Sequence, residues 1–189
     1  MGSHLVLSGP STAGKTTLML GLNALESEYD FTVDRTWTTR NRRFSEDDRE
    51  NVFVDPNEFE VMRHEFLFTF STFPTYEYGV QRPEPLADHE IRMRILMPAF
   101  ASKFRDLVQE PTIFCAVSPF NLEPESTFQQ RDPNVDTNDM LARLQRFHED
   151  KVDAEKKADI RFQNSAGIDQ AVTRLASTIL SFINKEPFG

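Results

Sequence analysis

Cysteine is nearly missing from this chain. Its one thiol, Cys115, lies inside the apolar run 112–117, so no internal disulfide can form and Cys115 is expected in the core. Long apolar runs are missing too. No stretch approaches the roughly 20 residues that a bilayer-spanning helix needs, and a secretory leader is not expected, because the N-terminus enters a short apolar run at once. Basic charge is scarce: 21 Lys and Arg stand against 30 Asp and Glu, for a net charge of -9. That balance disfavours a surface built to grip duplex nucleic acid. The four histidines (His4, His64, His89, His148) have no ligand spacing, so surface or capping roles are expected and no zinc or redox site is. There is no internal repeat and no low-complexity segment. A soluble, cytoplasmic protein of one domain, monomeric or homodimeric, is the expectation. The 17 Phe and a hydrophobic fraction of 39% suffice for its core.

Gly9 to Thr16 read G-P-S-T-A-G-K-T, directly after the apolar Leu5-Val6-Leu7 and before a helical stretch at about 16–25. The spacing is G-x-x-x-x-G-K-[ST] in its proper strand–loop–helix context. Glycines let the backbone turn tightly enough to aim successive N–H groups at one anion. The helix adds its N-terminal donors and positive dipole end. Gly9, Ser11, Thr12, Ala13, Gly14, Lys15, Thr16 and Thr17 are therefore expected to cradle the phosphates of ATP. Lys15 would reach the β- and γ-phosphates, and Thr16 would ligate Mg²⁺.

Strand-like runs alternate with helical ones along most of the chain. Strands are expected at 5–8, 31–37, 52–54, 91–96, 112–118 and 160–162, with a hairpin at 65–73 and 77–80. Helices are expected at 57–64, after an Asp55 cap and Pro56, and at 98–108, 124–130, 137–157 and 168–183. In the last, Ile168, Val172, Leu175, Ile179 and Phe182 step by three or four. This pattern predicts an α/β fold of three layers, with a mostly parallel central sheet and helices on both faces. Residues 31–85 break the alternation and are expected to form a small acceptor-binding subdomain, leaving 1–30 and 86–189 as the core.

Thr38-Thr39-Arg40, then Arg43 and Glu46, make the second signal. Two guanidinium groups three residues apart can fork one phosphate, and Tyr78 beside Gly79 can donate to the same anion. Asp47, Asp48, Arg49 and Glu50 read as a solvated charge run. Phe66, Phe68 and Phe70 alternate as core residues of a strand. Phe73 and Tyr76, flanking Pro74, are candidates for substrate contact, and Trp37 fits either role.

Taken in order, these residues resemble the guanylate kinase family of P-loop phosphotransferases. The likeness runs through L-V-L-S-G-P-S…G-K-T-T, T-T-R-x-x-R…E, Phe53-Val54, Glu58-Phe59, Glu65-Phe66-Leu67, Tyr78-Gly79, F-C-A-V-S-P from Phe114, and the later A-R-L and F-Q-N. The resemblance implies a nucleoside-monophosphate-kinase-like fold with a lid at about 124–140, using ATP and Mg²⁺. It implies that Arg40, Arg43 and Tyr78 hold the acceptor's phosphate, with Thr39 and Glu46 in the same substrate site and Glu46 or Asp47 the base if the acceptor were a hydroxyl. It makes Arg131 a lid arginine and Arg143 a catalytic one, although Arg143 equally fits an exposed arginine paired with Asp139 or Glu149. Asn164 falls near the adenine-side segment.

The departures are as informative. Where the family reads guanine, this chain has Asn51-Val52 in place of a tyrosine, Phe68 in place of a glutamate and Val80 in place of a serine or threonine. Residues 92–98 (R-M-R-I-L-M-P) lack the family's aspartates. An unpartnered guanine edge would cost a few kcal/mol. The expected activity is therefore transfer of the ATP γ-phosphoryl to a phosphorylated small molecule, with a nucleoside monophosphate other than GMP as the expected acceptor. The alternatives are a sugar-phosphate kinase, resembling ribose 1,5-bisphosphate phosphokinase, and a non-catalytic guanylate-kinase-like binding module.

Overall fold

A computed structural model describes residues 1–42, 49–72, 76–120, 123–131, 136–165 and 167–185. The central sheet has five strands: β1 (Ser3–Ser8), β2 (Asp30–Val33), β7 (Glu90–Ile95), β8 (Thr112–Ser118) and β9 (Ile160–Gln163). They lie in the order β2-β7-β1-β8-β9, and every pairing is parallel. A second sheet holds β3 (Thr36–Thr38), β4 (Asn51–Phe53), β5 (Phe66–Thr72) and β6 (Tyr76–Gln81), in the order β4-β3-β6-β5. Its β3–β4 pairing is parallel and the other two are antiparallel.

The helices are α1 (Lys15–Asn23), α2 (Pro56–Met62), α3 (Pro98–Leu107), α4 (Pro124–Arg131), α5 (Thr137–Lys157) and α6 (Ile168–Lys185). Asp55 caps α2 by accepting from the N–H groups of Asn57 and Glu58 at 2.8 and 3.1 Å. Asp136 caps α5 in the same way, through Asn138 and Asp139. None of the described helices is long and apolar enough to cross a membrane.

The alternation of β1 sorts the core into two. Leu5 and Leu7 join Met93, Cys115, Val117 and the buried faces of α1 and α6. Val6 points the other way, into a cluster with Phe68, Val80, Leu96, Phe104 and Phe114. Cys115 is buried as expected, and its burial pushes the thiol up to about 12.

The structure corrects one strand. Residues 31–37 are not continuous; β2 ends at Val33 and β3 starts at Thr36. Asp34 ends the first pairing by donating its N–H to the Met93 carbonyl at 2.8 Å. Its carboxylate is ion-paired with Arg94, which is fully buried in β7. Two residues on, the Thr36 N–H donates to the Glu50 carbonyl at 3.1 Å, and the chain has changed sheets. β2 thus belongs to the central sheet, and the second sheet begins at Thr36.

Candidate active site

The phosphate loop leaves β1 through Gly9, whose φ is 132°. A Cβ there would lie 2.3 Å from the Val117 carbonyl oxygen, so glycine is required. Gly14 closes the loop with φ 80°, and a Cβ on it would meet the Asn164 amide at 2.5 Å. Asn164 donates from Nδ2 to the Ala13 carbonyl at 3.0 Å, holding the loop from behind. Ala13 is buried. Helix α1 then starts at Lys15, with no side-chain cap and no acid in its first turn, so its leading N–H groups face the loop's concavity. Lys15 arches over the loop, its Nζ donating to the carbonyls of Gly9 and Pro10 at 2.9 and 2.7 Å.

The loop forms one wall of a cleft of about 750 Å³. Gly9, Ser11, Thr12, Gly14, Lys15, Thr16 and Thr17 line it. Facing them from the second sheet stand Arg40 and Tyr78, joined by a 3.2 Å hydrogen bond from the Arg40 Nε to the phenol oxygen. The Arg40 guanidinium also lies 5.3 Å from the centroid of the Phe53 ring. The floor is apolar, made by Phe70 with Ile95, Leu96 and Met97. Phe70 stacks on Tyr78 at 5.2 Å and on Phe100 at 4.1 Å.

Other expected site residues are placed elsewhere. Thr39 pairs with β6: its N–H donates to the Glu77 carbonyl at 3.1 Å, and its hydroxyl accepts the Glu77 N–H at 2.9 Å. Thr39, Tyr76, Arg143 and Asn164 are not among the residues that line the cleft. Arg43, Glu46, Asp47 and Phe73 lie outside the described residues, as does the side chain of Arg131 at the end of α4.

Four charged residues that sequence reasoning passed over do reach the cleft. Arg49 and Glu50 line it although they were expected to be solvated, and Arg146 of α5 lines it one helical step from Arg143. The α5 signal was present in the sequence, since residues 143, 146 and 150 share one helix face. Asp150 stands on that face at the cleft wall. Burial pushes its carboxyl up, while Lys15 and Arg146 pull it back.

The arginines of residues 92–98 do not line the cleft. Arg92 forks the Glu90 carboxylate at 2.8 and 3.1 Å, and Arg94 pairs with Asp34. Phe68 is buried in the core, as expected.

A magnesium ion fits the donor set. The Thr16 hydroxyl donates to a Glu50 carboxylate oxygen at 2.6 Å, placing two hard oxygen donors together at the mouth of the phosphate loop. No group of three or more His, Cys, Asp or Glu side chains among the described residues forms a metal site of its own. A cation here would take its remaining ligands from phosphate and water.

A phosphate loop over a parallel sheet, faced by a second sheet across a cleft, defines a P-loop nucleotide kinase fold. Within that class the fold is guanylate kinase-like. The crystal structure of guanylate kinase from Anaplasma phagocytophilum superposes with a TM-score of 0.66 over 95% of this chain and 85% of that one, at 21% identity. Guanylate kinase from Rhizobium meliloti (strain 1021) is 43% identical over 63 residues, which is 33% of this chain. The chain matches only 28% of that relative's length. No family model matches the chain.

Proposed function

We propose that the protein is an ATP-dependent phosphotransferase that moves the γ-phosphoryl group of Mg-ATP to a phosphorylated small molecule. The observation that carries this reading is the opposition of the phosphate loop and the hydrogen-bonded Arg40–Tyr78 pair across one cleft. The curated relative and the solved neighbour, both guanylate kinases, support it.

In-line transfer between two phosphates needs positioning and charge neutralisation more than covalent chemistry. The loop amides and Lys15 hold the donor's phosphates. Arg40 and Tyr78 grip the acceptor's phosphate, whose own oxygen is an anionic nucleophile and needs no general base. Arg146, and Arg131 from the end of α4, are the arginines suited to offset charge on the transferring group. Thr16, with Glu50 beside it, would hold magnesium, which when bound would supply positive charge to offset that of the donor's phosphates. The lid is assigned to residues 124–140 and the acceptor-binding unit to the second sheet.

The acceptor is a nucleoside monophosphate other than GMP. Phe68 is buried where a guanine-reading glutamate would stand, and Phe70, Ile95, Leu96 and Met97 offer the acceptor an apolar wall. A sugar phosphate is the second reading, favoured by the buried Phe68 standing in place of a base-reading carboxylate, while the apolar Phe70 in the cleft suits a flat base better than a bare sugar. ADP release from Mg-ATP separates these readings. The panel holds common and modified nucleoside monophosphates and ribose bisphosphate. Turnover with a phosphorylated acceptor and little with GMP is expected. A clear preference for GMP would overturn the acceptor assignment, and silence across the panel would favour a non-catalytic binding module.

A further inference from the structure

In a phosphate-loop site the loop's hydroxyl binds the cation through a lone pair, while its hydrogen must be taken by another group. A carboxylate that accepts that hydrogen fixes where the lone pairs point and adds negative charge beside the metal. Such a carboxylate is ordinarily looked for on the strand next to the loop. The strands beside β1 are β7 and β8: β7 ends at Ile95, followed by Leu96 and Met97 in the cleft wall, and β8 ends in Val117 and Ser118, so neither offers an acid there. Neither Asp34 nor Asp150 fills the gap: Asp34 is engaged with Arg94, and Asp150 stands on α5 beside Arg146 in the cleft wall.

The acceptor of the Thr16 hydrogen comes from the opposite wall. Glu50 immediately precedes β4 of the second sheet, and its carboxylate receives the Thr16 hydroxyl at 2.6 Å. Its backbone is anchored independently, because the Glu50 carbonyl accepts the Thr36 N–H at 3.1 Å. The carboxylate is thus held at the loop by its own sheet. We propose that Glu50 is the positioning carboxylate of the divalent-cation site: it orients the Thr16 hydroxyl toward the cation, and it does so from the acceptor-side sheet rather than from the strand beside the loop. The inference rests on the reading of this cleft as a metal–nucleotide site. Its consequence is that cation binding and the approach of the two sheets are coupled through one side chain. A cation at Thr16 strengthens the hydroxyl as a donor to Glu50, and a retracted second sheet leaves that hydroxyl without its orienting partner.

Manganese binding in the presence of ADP tests this, read by electron paramagnetic resonance of the free ion and without any turnover. Glu50→Gln keeps an oxygen for the Thr16 hydroxyl but removes the charge. It is expected to weaken manganese binding about 10–100-fold, while ADP affinity in EDTA stays at the wild-type value. Glu50→Asp is expected to recover part of the loss, and it carries the test if the glutamine variant folds poorly. Equal manganese affinity in wild type and Glu50→Gln would overturn the proposal while leaving the nucleotide site intact. A matching fall in metal-free ADP affinity would also overturn it, by making Glu50 a general support of the loop. Failure of the wild-type protein to bind manganese with ADP would overturn both the proposal and the kinase reading beneath it.

Discussion

The two faces of the central sheet are built from opposite chemistries. Under α1 and α6, the face that continues into the phosphate loop is apolar: Leu5, Leu7, Met93, Val117, Leu175 and their neighbours fill it. The face toward α3 and the second sheet carries His4 and Arg94 among its aromatics. His4 packs edge-on against Phe104 at 5.2 Å, and the Arg94 guanidinium lies 4.2 Å from the centroid of the same ring. A uniform apolar layer makes a rigid platform for a loop whose geometry must not vary. The second face supports the other wall of the cleft, and there buried charge is packed among aromatic side chains. The two walls of the cleft therefore rest on different chemistry: the phosphate loop on an apolar layer, the opposite wall on the Asp34–Arg94 pair and the stacked phenylalanines.

The sharpest way to break the comparison is at the loop. Lys15→Ala should lower ADP formation about a thousandfold, equivalent to about 4 kcal/mol, because one preorganised cation aimed at the transferring group is lost. Its melting temperature should stay near that of the wild type, since the Lys15 Nζ donates to the carbonyls of Gly9 and Pro10 within its own loop. A large fall in stability would show that the loop is not carried by the apolar face beneath it.

The opposite outcome is expected at Arg94. Replacing it with Met leaves the Asp34 carboxylate without the guanidinium that now faces it. Removing one member of a buried pair costs about 3 kcal/mol, read as a shift in the urea midpoint. Burial lowers the Arg94 guanidinium and raises the Asp34 carboxyl, each opposed by its partner's charge. The double change Asp34→Leu, Arg94→Met should therefore regain most of the loss. If it does not, the pair is not what joins β2 to β7 at the point where the chain changes sheets.

How far the two halves could be read in the sequence follows the same division. The phosphate loop is contiguous, so its motif and spacing identify Gly9 through Thr17 without any tertiary information. Strand 112–118 and helix 137–157 were legible to the residue, because one is an unbroken apolar run and the other is bounded by Asp136 and a charged C-terminus. The acceptor wall is assembled from four separate segments, and none is diagnostic alone. Arg49 and Glu50 sit in a charged stretch whose local composition says solvent; only the pairing of β4 with β3 turns them into the cleft. Arg92 meets Glu90 two residues away on the same strand, whereas Arg94 has no local partner, and Asp34 is brought beside it only by the parallel pairing of β2 and β7. The break at Asp34 was invisible for the same reason, since alternation continues through it.

On the acceptor side, Arg40→Met should raise the acceptor's KM and cut kcat/KM about a hundredfold, equivalent to about 2.7 kcal/mol. Nucleotide affinity measured without acceptor should not change, because Arg40 faces the loop across the cleft. An equal loss of nucleotide binding would mean that the two walls do not divide the substrates between them.

The smallest effect separates the two faces by pH. His4 is fully buried on the charged face, and neither ring nitrogen finds a hydrogen-bond partner among the described residues. Burial, then the charge of Arg94, lowers its pKa from 6.5 to about 4; Arg92 adds to the effect, and Glu110 and Glu90 oppose it. The unfolded chain therefore takes up a proton that the folded chain refuses between those two values. Stability contributed by the neutral imidazole is present above pH 6.5 and is lost as the pH falls toward 4. At pH 5 the loss relative to pH 8 is about 2 kcal/mol. Thermal melts across that range should show the decline in the wild type and a flatter profile in His4→Leu, which keeps the contact with Phe104 and has nothing to protonate. A wild-type profile unchanged between pH 5 and 8 would place the charge tolerance of this face elsewhere than at His4.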